Sequence, residues 1–188
     1  MLGSPEHEGQ AHGRVDRGFA TTHPRLFPSL VSLALVVATL SGCAGSVVAR
    51  GHAAPEVSGT TLDGQAAALS GLRGKPVIVN FWGPSCIPCR NEFPLFKQKL
   101  VEHASDGLTV LGVLMDDPPD DARDFVAQLG ATWPTVVDPD EKIVHAYQVA
   151  ARPQSYFVDP DGILRSIQIG ELVESDFERQ YALIAPRS

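Results

Sequence analysis

Val77-Ile78-Val79-Asn80-Phe81-Trp82-Gly83-Pro84-Ser85-Cys86-Ile87-Pro88-Cys89-Arg90 decides how the rest of the chain is read. The run from Val77 to Trp82 is short and nearly continuously apolar, the pattern of a strand buried on both faces of a parallel sheet. Downstream, Phe93, Phe96, Leu100 and Ala104 recur at helical spacing, with Lys97, Gln98, Lys99 and Glu102 between them. Two cysteines therefore fall where a buried strand gives way to a helix. The first turn of a helix offers unpaired N–H groups and the positive end of the macrodipole, and both favour a thiolate over a thiol. Cys86, at the start of that turn, reads as the nucleophile, and Cys89, one turn on and deeper, as its resolving partner. The expected chemistry is thiol–disulfide exchange.

Structural zinc sites and plain disulfides share the CxxC spacing. Zinc needs two more ligands, yet the only other cysteine is Cys43 and no histidine pair follows at a finger-like interval. A structural disulfide closing so short a loop stabilises little. Pro94, five residues past Cys89, is expected to kink the helix and shift its first turn relative to its body. Far downstream, Arg152-Pro153 precedes the strand-like Ser155-Tyr156-Phe157-Val158.

Taken together, the pattern FWxxxCxPCRxExP, the proline within the helix and the later proline before a strand resemble the thioredoxin superfamily. Within it the resemblance is to the TlpA/ResA/DsbE-like extracytoplasmic thioredoxins. It runs from about Ala54 to Ile184 and includes APEVSGTTLDGQ, LRGKPVIVNFW and VDPDGILR. The resemblance implies an α/β thioredoxin fold, a dithiol/disulfide pair at Cys86 and Cys89, no cofactor beyond that disulfide, and a cis-proline at Pro153 beside the sulfurs. In the related cytochrome-maturation thioredoxins a glutamate matching Glu92 is implicated in proton handling. Thioredoxin itself carries a buried aspartate where this chain has Asn80, so any proton acceptor here has moved to Glu92. Ser85 stands where the family usually has a tryptophan, which implies an altered set of partners.

Arg152 stands where the family more often has an uncharged residue. A guanidinium near Cys86 would stabilise the thiolate and make the disulfide more oxidising. The alternative is that Arg152 faces solvent or pairs with Glu92. Trp82, Trp133 and the phenylalanines read as core, and His52, His103 and His145 are single histidines with no assigned role.

The 188 residues suit one domain plus a leader, and a formal charge of −7 argues against nucleic acid or an anionic lipid surface as partner. Leu30 to Leu40 (LVSLALVVATL) is too short to span a bilayer but the right size for a signal-peptide core. It ends in Leu40-Ser41-Gly42-Cys43, which resembles the lipobox of bacterial lipoproteins and implies lipidation at Cys43. The expected organisation is a lipoprotein signal peptide over 1–42, a flexible tether over 43–53 and a thioredoxin-like domain over 54–188. That places the domain on the extracytoplasmic face of the bacterial cell membrane, held by the lipid anchor.

Within the domain, Pro55 to Gln65 suggests an N-terminal hairpin turning at Leu62-Asp63-Gly64. Leu108 to Met115 reads as a second buried strand, and Asp116-Asp117-Pro118-Pro119 as the start of a helix stopped by Gly130. Trp133 to Val137 forms a brief strand, and Ile143 to Tyr147 one or two helical turns. Asp159-Pro160-Asp161-Gly162 joins two strands, and Ser175-x-x-Glu178 is a capping box for the last helix. Strands interrupted by helices and closed by a hairpin and a helix predict a mixed central sheet flanked by helices.

The family's commoner task is reduction of apocytochrome c or other exported cysteine-containing proteins, with electrons from a transmembrane carrier of the CcdA/DsbD type. Some relatives instead insert disulfides. Thiol peroxidase and copper metallochaperone are readings from other classes. The Ser85-Cys86 order does not fit the usual peroxidatic pattern, and the two-residue gap between the cysteines differs from the three-residue gap of copper-binding relatives.

Overall fold

A computed structural model describes residues 48–186. The signal peptide expected over 1–42, Cys43 and the first part of the tether lie outside the described residues. Five strands form the central sheet: β3 (Val77–Trp82), β4 (Thr109–Leu114), β5 (Thr135–Val137), β6 (Gln154–Val158) and β7 (Leu164–Ile169). Their spatial order is β5-β4-β3-β6-β7, with β3, β4 and β5 parallel and β6 and β7 each antiparallel to the strand before it in that order. The helices are α1 (Ile87–Glu102), α2 (Pro119–Leu129), α3 (Lys142–Tyr147) and α4 (Glu174–Tyr181). This is the α/β thioredoxin fold, with its mixed sheet flanked by helices. A separate hairpin, β1 (Ser58–Thr60) and β2 (Ala66–Ala68), abuts β5 through a bridge between Thr61 and Val136.

All six residues of β3 are buried, as the unbroken apolar run predicts for a central strand. Its side chains alternate between two cores. Val77, Val79 and Phe81 pack with Leu111, Tyr147 and Tyr156, whereas Ile78 and Trp82 pack with Phe93, Phe96, Phe157 and Phe177. Period-two alternation therefore turns Asn80 toward the second group, the side covered by α1. In that core, the Phe93 ring lies 4.8 Å from Trp82, 5.0 Å from Phe125 and 4.9 Å from Trp133, centre to centre.

The structure departs from the sequence expectations in four places. Residues 48–53 are not a free tether: Gly51 N–H donates to the Leu164 carbonyl, Ala53 bridges Ile163, and Val48 packs on the core. Their mostly small side chains allow backbone pairing with the start of β7, so the described domain begins at or before Val48. Helix α2 begins at Pro119 because Asp116 adopts φ 61, a left-handed conformation that bends the chain before the two prolines. Helix α4 has no capping box. Val173 is its N-cap, and Glu174 and Glu178 both reach Lys99. Lys99, on the polar face by sequence, is buried because three carboxylates (Glu102, Glu174 and Glu178) converge on its ammonium.

Candidate active site

The end of β3 and the start of α1 set the two cysteines at the rim of the sheet. Gly83-Pro84-Ser85 makes the link, and Cys86 is the N-cap of α1 with Pro88 in the first turn, where its missing N–H costs nothing. Cys86 and Cys89 are joined by a disulfide, with Cα atoms 5.3 Å apart. The backbone N–H of Cys89 points at the Cys86 sulfur, 3.2 Å away. Cys86 retains 8% of its surface while Cys89 retains none. An incoming sulfur can therefore reach Cys86 and not Cys89. A thiolate on Cys86 would receive the same N–H bond and the positive end of a sixteen-residue helix.

Pro94 lies within α1 on its exposed face. Having no N–H, it leaves the Arg90 carbonyl without the usual partner one turn on. The peptide bond between Arg152 and Pro153 is cis, and Pro153 is buried.

Glu92 is 1% exposed, one helical turn beyond Cys89. Its Oε1 accepts from Asn80 Nδ2 at 2.8 Å and its Oε2 from the Leu172 N–H at 3.0 Å. Asn80 Nδ2 also donates to Ser155 Oγ at 3.0 Å. Among the described residues, no cation is bonded to this carboxyl. Desolvation, opposed by the two hydrogen bonds, pushes its pKa up from 4.5 to about 8. At neutral pH Glu92 is therefore mostly protonated, a buried acid held within the fold beneath the dithiol. A solvated glutamate on the helix face is ruled out.

Arg152 turns away from Glu92 and is not free in solvent. Its Nη1 donates to Asp117 Oδ2 at 2.7 Å and also to the Met115 carbonyl, and its Nη2 donates to Ser85 Oγ at 2.9 Å. Asp117 Oδ2 in turn accepts from the Ser85 N–H at 3.2 Å and is 3.1 Å from Ser85 Oγ. The residue before the cis-proline and the residue before Cys86 are thus tied to one carboxylate. Gly83 makes room for this: a Cβ there would collide with Asp117 Oδ2 and Arg152 Nη1 and lie 2.8 Å from the Met115 carbonyl.

Sequence reasoning misses Asp117, because Asp116-Asp117 reads only as an acidic helix start. The one signal that points to it is its place directly after a central parallel strand, where the sheet's site-bearing loops emerge. Of the other predicted residues, Trp82 and Trp133 are core. His103 packs on Tyr181, ring centres 3.9 Å apart, while His52 and His145 are exposed.

Residues 50–167 match the AhpC/TSA family. Over 141 residues the chain is 33% identical to the thiol-disulfide oxidoreductase ResA of Geobacillus kaustophilus (strain HTA426), covering 75% of this chain and 81% of that protein. ResA of Bacillus subtilis (strain 168) is 30% identical over 139 residues, 74% of this chain and 78% of its own length. Among solved structures, a thiol:disulfide interchange protein of the thioredoxin family from Chlorobium tepidum TLS superposes with a TM-score of 0.65 at 28% identity, over 73% of this chain and 99% of that one. DsbF of MTB, solved in mixed oxidized and reduced forms, gives 0.62 at 28% identity, over 69% of this chain and 95% of its own. The chain, with its CxxC disulfide at the head of α1, belongs to the AhpC/TSA family and, within it, to the ResA/DsbE-like thiol-disulfide oxidoreductases.

Proposed function

We propose that this oxidoreductase works as an extracytoplasmic reductant, held to the membrane by a lipid on Cys43, for cysteines of exported proteins, apocytochrome c among them. In the reduced enzyme, the Cys86 thiolate attacks one sulfur of the partner's disulfide and expels the other as a thiolate. Cys89, as its thiolate, then attacks the Cys86 sulfur of the mixed disulfide and releases the partner's second thiolate. Two electrons pass to the partner and the enzyme is left with the Cys86–Cys89 bridge. A membrane carrier of the CcdA/DsbD type would return it to the dithiol.

The observation that carries this reading is the unequal exposure of the two sulfurs at the start of α1, with the neutral carboxyl of Glu92 one turn below the buried one. Such an acid, in its ionised fraction, can take the Cys89 proton when that thiol must attack, and return it when the bridge opens. Reduction is favoured over oxidation because the cation expected to stabilise the Cys86 thiolate, Arg152, is spoken for by Asp117. The leader's apolar run and the Leu40-Ser41-Gly42-Cys43 sequence support the anchor.

The test is Cys89→Ser expressed in a bacterial host with the full leader. The variant should accumulate mixed disulfides through Cys86 that dithiothreitol releases, with cytochrome-type CxxCH proteins among them, and the protein should label with fatty acid only when Cys43 is present. Absence of any trapped partner while the purified wild type still cycles with glutathione would remove the assigned substrate class.

A further inference from the structure

Besides Arg152, four ionisable groups lie on the elements next to the dithiol. Glu92 and Arg90 lie on α1, Asp117 on the loop after β4, and Glu171 on the loop after β7. Arg90 is occupied by the Phe125 ring, 4.8 Å below its guanidinium carbon, and by the Pro84 carbonyl. Glu171 accepts from Asn91 Nδ2 at 3.0 Å. Of these groups and Arg152, only Asp117 and Arg152 are bonded to the side chain of the residue preceding Cys86.

We infer that Asp117 is a positioning and charge-balancing residue for the exchange reaction: it fixes Ser85 and cancels the Arg152 guanidinium, and so sets how strongly the Cys86 thiolate is stabilised. The segment that carries Asp117 is stiff. Asp116 bends the chain at φ 61, and the Pro118 ring restricts the backbone of Asp117. The pair is sheltered, with 19% of the Arg152 side chain and 10% of the Asp117 side chain exposed, so its charges are screened less than a surface pair's. Arg152 has two further anchors, the Met115 carbonyl and Ser85 Oγ. If Asp117 loses its charge, the guanidinium stays where it is and its field at Cys86 is no longer opposed. If Arg152 is removed, the Asp117 carboxylate remains bonded to Ser85, and its field opposes the thiolate. The two substitutions therefore act in opposite directions, which a purely structural role for either residue does not produce.

This inference rests on thiol–disulfide exchange at Cys86 and is independent of the protein's partner or of the direction of electron flow. The experiment measures, for the full-length wild type, D117N, R152T and D117N/R152T, the pH titration of the Cys86 thiolate by absorbance and the equilibrium with the glutathione couple. D117N should lower the titration midpoint of Cys86 and shift the equilibrium severalfold toward the dithiol, a tenfold shift corresponding to about 30 mV. R152T should move both readings the other way, and the double variant should return close to the wild type. Should D117N fail to fold, D117S takes its place, and the inference requires of it the same lowered midpoint, opposite in direction to R152T. Single variants that leave both readings unchanged, or that move them in the same direction, overturn the inference. A wild type that cannot cycle between bridged and open forms overturns instead the reading of the site itself.

Discussion

Two carboxylates flank the same dithiol and are treated in opposite ways. Glu92 lies beneath it with hydrogen-bond donors, Asn80 Nδ2 and the Leu172 N–H, but no cation among the described residues, and burial drives it toward the neutral acid. Asp117 lies at the mouth with a guanidinium 2.7 Å away and Ser85 bonded to it. Burial raises the pKa of a carboxyl whose hydrogen-bond partners are neutral, as at Glu92. Neutral donors leave Glu92 able to carry a proton near neutral pH. At Asp117 a guanidinium and the Ser85 N–H converge on one carboxylate oxygen and hold the loop after β4 against the residue before Cys86.

The largest effect that would break this contrast is on the pH dependence of stability. Between pH 4.5 and about 8 the unfolded chain gives up the Glu92 proton while the folded chain keeps it, so stability falls as pH rises across that window and levels off above it. Glu92→Gln should remove this decline, worth on the order of 5 kcal/mol. Denaturant midpoints of the oxidised protein from pH 4 to 9 would show it, and parallel curves for variant and wild type would mean that Glu92 is not buried as an acid. Asn80 can support the amide, since its own Oδ1 has no partner among the described residues.

Next in size is Gly83→Ala, which forces a methyl group between Asp117 and Arg152. Overpacking of this kind costs about 2 kcal/mol, and it should also move the Cys86 midpoint; a variant as stable as wild type would show that the pair can shift aside without loss. Asp117→Ala should cost less, about 1 kcal/mol, because Arg152 keeps the Met115 carbonyl and some solvent. Thermal unfolding at two salt concentrations distinguishes a sheltered pair from a screened one. The smallest effect is the control. Lys142→Ala breaks an ion pair with Asp140 that stands in open water, and it should change neither stability nor exchange rate measurably.

Local pattern carries the architecture far. The apolar run along Val77–Trp82 and helical spacing through Phe93 and Phe96 are properties of neighbouring residues, and they locate β3 and α1 together with the cysteines between them. Alternation along the same strand puts Asn80 on the side of the sheet that α1 covers, so its bond to Glu92 is within reach of the sequence. Local rules mislead where a distant residue competes. Ser175-x-x-Glu178 satisfies a capping pattern, but Glu178 reaches back to Lys99 and Val173 begins the helix. The end of the apparent tether behaves likewise. Residues 48–53 look flexible in composition, yet Ala53 pairs with Ile163 at the start of β7.

By itself the sequence determined the chemistry and its place: two cysteines two residues apart, where a buried strand hands over to a helix. Those features depend on spacing along a few turns of chain, which composition and periodicity report directly. The tertiary structure alone decided the state of the charges around them. Arg152 meets Asp117 across 35 residues, and Glu92 meets the Leu172 N–H across 80. Desolvation and pairing arise only when the fold brings such segments together, and no local pattern encodes them.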